Sequence, residues 1–294
     1  MKKILYLGVL LMTFLFFSLA WYVWKNNRDV VPPSQAEIKQ HYDRSVDWVI
    51  SNYSNIEDVR NPILWWMIKQ AGLNTNNKSL KNIFSKYKKE HLDKMPANLS
   101  TPMFDKFYRP NVPDIVLLSS LRDYQLFFFY GLSCDTDLGS EPVIQQQMVP
   151  GFCSLHYLQP RCITHQLMGL RFMQRYKCGY DTKVNETINE LQKVVVSELT
   201  WDFRVGDAYI QRVLMLLDIG AYEQVKPVWV SNILKAQNDD GGWDDLHPIL
   251  YLGNDYVFAH SSALPKIGKP KADFHATAQA IWLLSLLLKE AENN

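Results

Sequence analysis

The feature that most restricts how this chain can fold is a regular change in the character of its helical segments. Helical periodicity runs through most of the 294 residues, and no run of alternating polar and apolar residues marks a strand. One set of segments is amphipathic, with a narrow apolar stripe backed by polar side chains. It comprises 36–53 (Ile38, Tyr42, Val46, Val49, Tyr53), 76–91 (Leu80, Ile83, Phe84, Tyr87), 182–199 (Val184, Ile188, Leu191, Val195) and 224–237 (Val225, Trp229, Ile233). The other set, 61–71, 113–130, 160–177, 206–219 and 271–289, is apolar nearly all round. A helix with no polar face must be covered on several sides. The two sets alternate, interrupted by a short helical piece near 141–148. The order predicts an all-α domain in which inner helices line a barrel and outer helices pack behind them, an α/α toroid. The same helices also permit an irregular all-α domain.

Loop lengths agree with the alternation. Connections after the inner segments are short (72–75, 178–181, 220–223), and those before them include long ones (92–112, 149–159, 238–270). Alternating antiparallel helices put every inner N-terminus at one rim, so the long loops locate the functional end. Pro62, Pro113 and Pro160 stand near first turns, where proline is tolerated. The same placement pairs the cysteines. Cys134 and Cys178 follow inner helices at the short-loop rim, and Cys153 and Cys162 flank an inner helix start at the other. A Cys162–Cys178 link would have to span a helix of about 24 Å, too far to bridge. The expected bonds are Cys134–Cys178 and Cys153–Cys162.

The N-terminus states an address. Met1-Lys2-Lys3 precedes an uncharged run from Ile4 to Trp24, closed by Lys25 and Arg28. About 20 apolar residues span a bilayer as a helix. Residues 1–24 read as a membrane anchor with the N-terminus cytosolic, because the run exceeds the usual signal-peptide core of about 7–15 residues. Ser18-Leu19-Ala20 keeps a cleaved signal, and a secreted product, as the alternative. Residues 25–35 read as a polar linker and 36–294 as the domain, exported to periplasm or lumen, where disulfides form. Thirty-one basic and 30 acidic side chains leave a net charge of +1, which argues against a nucleic-acid partner. The expected partners are the membrane, through the N-terminal helix, and a small-molecule, glycan or lipid-linked ligand.

One stretch carries a family resemblance. Gln237-Asn238-Asp239-Asp240-Gly241-Gly242-Trp243 resembles the Gln-x-x-x-Gly-x-Trp repeat end of the terpenoid cyclase and protein prenyltransferase superfamily, whose members are α/α toroids. Asp273-Phe274-His275-Ala276-Thr277-Ala278-Gln279-Ala280-Ile281-Trp282 is similar to an inner helix of that superfamily. The resemblance covers 226–290. Its physical basis is a helix end stopped by glycines, with the Trp folding back onto it. The family's acid motif Asp-x-Asp-Asp and zinc motif Asp-x-Cys are absent from this sequence, so fold resemblance brings no activity with it.

Candidate chemistry sits at the inner helix starts. His165, Asp207 and His275 each open an inner helix and converge on one mouth if the toroid forms. An imidazole beside a carboxylate serves as acid or base near neutral pH, so these three are the expected catalytic residues. Asp207 as a plain helix cap and the histidines as structural residues are the bland alternatives. Trp201, Arg204, Asp240, Trp243, Asp245 and Trp282 are the expected substrate-binding residues, supplying flat apolar faces and hydrogen-bonding groups. Asp240 and Asp245 also suggest a glycosidase-like pair, and Trp65, Phe128, Phe172 and Trp282 a prenyl tunnel. His156, Cys162, His165 and His275 form a possible metal set, but a disulfide takes Cys162 first, and no metal or cofactor is assigned. The function expected is that of an exported, membrane-anchored enzyme acting on a carbohydrate or lipid-linked substrate. The alternative is a non-catalytic binding module at the membrane surface.

Overall fold

Short polar residues set where several helices begin. In the computed structural model, α1 spans Lys2–Asn27, α2 Gln35–Ser51, α3 Tyr53–Ile56, α4 Pro62–Asn74 and α5 Lys78–Tyr87. Then follow α6 (Asp123–Ser133), α7 (Thr136–Ser140), α8 (Pro142–Gln147), α9 (Cys162–Tyr176), α10 (Asp181–Trp201), α11 (Asp207–Asp218), α12 (Pro227–Lys235) and α13 (Phe274–Asn293). The structure describes residues 2–94, 98–105, 107, 108, 118, 121–153, 161–260 and 265–293. Ser34 caps α2 by accepting the Glu37 amide at 3.1 Å, and Asn61 caps α4 through Ile63, with Pro62 in the first turn. Asn77 caps α5 through Leu80 at 3.0 Å, and Asp273 caps α13 through Ala276 at 2.8 Å.

The amphipathic segments bury the stripes read from sequence. Ile38, Tyr42, Val46 and Val49 are covered on α2, and Val184, Ile188, Leu191 and Val195 on α10. The all-apolar segments are shielded more completely: all twelve residues of α11 are buried. Two boundaries differ from expectation. The segment 36–53 breaks at Asn52 before the one-turn α3. Within the segment expected over 113–130, α6 begins at Asp123, where Arg122 is extended and Gln125 reaches back to its amide at 3.0 Å. Residues 113–117, 119 and 120, with Pro113, Pro160 and His156, lie outside the described residues.

The inner segments pack in the order α4–α13–α11–α9–α6. Of the amphipathic helices, α2 packs on α13, α5 on α4, α10 on α9 and α11, and α12 on α11. Both expected disulfides are present, Cys134–Cys178 with its Cα atoms 4.8 Å apart and Cys153–Cys162 at 5.6 Å.

The segment 238–270 is not the plain loop expected. It carries a three-stranded antiparallel sheet, β1 (His247–Gly253), β2 (Tyr256–His260) and β3 (Lys266–Gly268), in the order β1–β2–β3. Gly253 pairs with Tyr256, and the two residues between them, Asn254 and Asp255, have φ of 49° and 63°. Two left-handed central residues make the tight hairpin turn whose twist suits antiparallel strands. The Asn-Asp signal stands in the sequence, but the flanking residues do not alternate in polarity, so period-2 reading misses it.

The expected linker is also partly built into the domain. Lys25–Asn27 complete α1, and Asn26 is buried. Its amide donates to the carbonyls of Leu199 (2.7 Å) and Asp202 (3.2 Å) and accepts from Tyr209 Oη (2.9 Å) and Asn232 Nδ2 (3.1 Å). Its backbone carbonyl accepts the Trp229 indole at 3.0 Å. Asn27 donates to Thr200 O at 2.7 Å and accepts from Lys226 at 2.9 Å. Before Tyr22, whose ring stacks on Phe203, the described apolar side chains of α1 are exposed.

Candidate functional site

Helix starts supply the polar groups of one large cavity. It has a volume of about 1280 Å³ and is lined from α4, α6, α9, α11 and α13. Its floor is apolar, with Leu64, Met67, Phe128, Leu132, Met168 and Phe172. Its rim is polar, with Arg60, Arg122, Arg161, His165 and His275, and the buried Gln279 adds a further polar group to the lining. Helix N-termini there add positive potential to that of the arginines.

Asp207 is the first residue of α11, behind Gly206, and its side chain does not cap its own helix. Instead Oδ1 accepts the Nδ1–H of His275 at 2.5 Å. Oδ2 lies 3.4 Å from Arg161 Nε and has no hydrogen bond. Arg161 also approaches Asp245, at 4.0 Å. Burial disfavours the Asp207 anion, but the hydrogen bond and charge of His275, with Arg161 and His165, outweigh it and hold the carboxyl below its ordinary pKa. Burial likewise disfavours the His275 cation. The Asp207 bond and charge prevail, and the imidazole pKa stands above the ordinary value. With Nδ1–H committed to Asp207, His275 Nε2 is the atom left to exchange a proton.

His165 stands in the first turn of α9 and is shifted the other way. Its ring packs on Tyr124 (centroids 4.4 Å apart) and Phe128 (5.9 Å), and this burial is the main cause of a lowered pKa. The Arg161 carbonyl opposes the shift; the charges of His275 and Arg161 reinforce it. Because a carbonyl only accepts, the 2.7 Å contact with Arg161 O fixes the proton on Nδ1. Nε2 of a neutral His165 therefore carries the lone pair.

The latch that holds α13 in place is the Gln237–Trp243 stretch. Gln237 Nε2 donates to His41 O and Gly241 O, and its oxygen accepts from His41 Nδ1 at 2.6 Å. Gly241 has φ of +95°, and a Cβ there would meet Arg44 O at 2.4 Å. The Trp243 indole folds back to donate to Ile233 O at 2.8 Å, while its backbone pairs with Asp273 and Thr277. His275 follows two residues after that pairing.

None of the expected substrate-binding residues lines the cavity; Asp245 approaches the lining residue Arg161, at 4.0 Å. Asp240 turns to α2, accepting the Trp48 indole at 3.1 Å and the Gly242 amide at 3.0 Å, so it is not half of a carboxylate pair with Asp245. Trp243 is sealed in the latch. Trp282 packs edge-on against Trp66, centroids 4.8 Å apart, and Trp65 stacks on Tyr87; neither lines the cavity. Of the proposed prenyl-tunnel residues, only Phe128 and Phe172 do. Arg204 is locked onto Asp202, which Arg212 also grips at 2.7 Å. Trp201 projects into solvent at the end of α10.

Arg161, Gln211 and Gln279 were not singled out from the sequence. Gln211 and Gln279 stand four residues after Asp207 and His275, on the same helix faces, and that spacing is the signal that finds them. Gln279 is fully buried, and its Oε1 has no partner. Cys162 is in a disulfide and cannot ligate metal as the sequence permitted. Among the described residues, the one close set of metal-type ligands is Glu57, Glu90 and His91, which is no part of the cavity lining. Comparison with protein-family models, curated proteins and solved structures finds no match for this chain.

Proposed function

We propose that the domain is an α/α toroid of the terpenoid cyclase and prenyltransferase type, and an acid–base enzyme working at the rim where its inner helices begin. The observation that carries this is a pair of imidazoles on one cavity wall with pKa values pushed apart, one by a buried carboxylate and the other by aromatic burial. Such a split assigns the roles. His165 Nε2 accepts a proton as base, His275 Nε2 delivers one as acid, and Asp207 orients and charges His275. Arg161 and the helix N-termini stabilise negative charge developing between them. An apolar floor under a polar rim suits a carbohydrate or lipid-linked substrate that buries an apolar part and presents hydroxyls or an anionic group. The two disulfides and the apolar α1 support an exported, membrane-anchored protein.

The test is single and paired His165→Ala and His275→Ala variants of the full chain, checked for export and for unchanged circular dichroism. Loss of the cellular phenotype in each folded variant is expected. Folded, exported variants with full phenotype favour a non-catalytic binding module instead.

A further inference from the structure

Beyond α1, one end of the domain gathers a cluster of large apolar side chains left in solvent. Trp201 is 66% exposed; on the sheet, Leu250, Tyr251 and Ile267 are 57%, 77% and 64% exposed, with Ile249 and Leu252 beside them. Outside these two stretches the exposed apolar side chains are scattered along the chain, at Val31, Ile50, Leu73, Phe107, Val149, Tyr180 and Val194. Trp201 and Phe203 lead into the start of α11, and the sheet leads into the start of α13, so both lie where Arg161, Asp207 and His275 meet. The two stretches touch, since a Cβ on Gly206 would lie 3.2 Å from Asp245 O. Monomeric soluble domains rarely leave such a patch bare, and a membrane is one of the partners that covers it.

The membrane helix joins the domain at the same end. The Asn26 hydrogen bonds grip the last turn of α10 and the first turn of α11, two residues from Asp207. The Tyr22 ring stacks on Phe203 with centroids 4.9 Å apart. A helix whose last turn is part of the domain is a fixed post and not a swivelling tether. From Ile4 to Trp24 it rises about 30 Å, the thickness of a hydrocarbon core. Trp21, Tyr22 and Trp24, all exposed, then stand at headgroup depth, and Phe203 stands there with them.

We infer that the domain rests on the lipid bilayer through this end. Trp201, Phe203 and the exposed face of the β1–β3 sheet lie in the headgroup layer of the membrane that α1 crosses. The cavity mouth therefore opens at the membrane surface, where an amphipathic substrate reaches it without passing through bulk water. Lys266 opens β3 and Lys271 follows it, and both suit lipid phosphates; Lys269 between them pairs with Asp255 at 3.6 Å. The inference rests on α1 being retained as an anchor; it does not depend on the acid–base reading.

The experiment uses the full chain in phospholipid nanodiscs containing headgroup-labelled nitroxide lipid. An environment-sensitive fluorophore is attached at Leu250→Cys, at Trp201→Cys or at Thr182→Cys. Thr182 lies in the first turn of α10, about 30 Å from Trp201 along that helix. The labels at 250 and 201 are expected to be quenched several-fold more than the label at 182. Equal quenching at all three positions, or none at 250 and 201, overturns the inference; a protein partner covering the sheet gives the latter result. The intact mass of the membrane fraction separates the two ideas. A chain cleaved after Ala20 overturns the anchor and the docked rim together, whereas an intact anchor with unquenched labels overturns the docked rim alone.

Discussion

Replacing Asp207 with Asn keeps the shape of the side chain and removes the charge on which the proposed acid depends. The Asp207 side chain is 4% exposed, but those of His275 and Arg161 are 40% and 44% exposed. Removing one partner of a wholly buried pair costs about 3–5 kcal/mol. Here both cations reach water, and Asn still accepts from a neutral imidazole. The expected loss is the difference between a charge-assisted and a neutral hydrogen bond, about 1–1.5 kcal/mol. Its pH dependence has a definite sign. The raised His275 pKa stabilises the fold fully below the unfolded value of 6.5, and that contribution is lost as pH rises through the higher folded value. The lowered Asp207 pKa contributes above 3.8 and is lost as pH falls through the folded value. The stability gap between wild type and variant is therefore widest in the mildly acid window between those limits. His165, shifted oppositely, largely cancels in the difference. Urea unfolding at about pH 5.5 should show the whole gap, shrinking to under about 0.5 kcal/mol by about pH 8.5. NMR titration should find the His275 pKa lower in the variant than in the wild type, since burial remains and the Asp207 charge is gone, leaving only Asp273 to favour the cation. A gap that does not change with pH, or an unmoved His275 titration, refutes the electrostatic account.

Trp243→Ala should lower stability by about 3–5 kcal/mol, as expected for emptying a fully buried indole site, and urea unfolding measures it. A cost under about 1 kcal/mol would show that the latch does not hold α13. The Cys134–Cys178 bond closes 44 residues and Cys153–Cys162 closes nine. Chain entropy then assigns the longer loop about 4 kcal/mol and the shorter about 2.6, so the double Ser variant at 134 and 178 should unfold at lower urea. The reverse order contradicts that ranking. Asn26→Ala removes the four side-chain hydrogen bonds that Asn26 makes to α10–α12 and should cost about 2–3 kcal/mol. Faster proteolysis between 21 and 34 would report it, and wild-type protease resistance would count against a rigid anchor junction.

Much of the secondary structure was legible before any contact was known. Burial on every side demands apolar residues on every face of a helix, and α11 and α13 carry that demand in their local periodicity. Ser34, Asn61 and Asn77 likewise mark helix starts with their own side chains. The cysteine pairing followed once the ends of α6 and α9 were ordered along the chain. The strands escaped because β1 is exposed on most of its length, so neither of its faces imposes an alternation.

The sequence by itself determined which helices are shielded, where most of them start, and that His165, Asp207 and His275 each open one. Local spacing suffices for these because a helix turn involves only neighbours three or four residues away. The fold alone decided that Asp207 bonds His275 across 68 residues, that Arg161 joins them, and that Asp240 and Trp243 serve the latch instead of a ligand. It alone also decided that Asn26 plugs into α10–α12 and is not part of a linker. Contacts between segments distant in sequence leave no periodic trace in either segment, and only packing selects which polar groups meet.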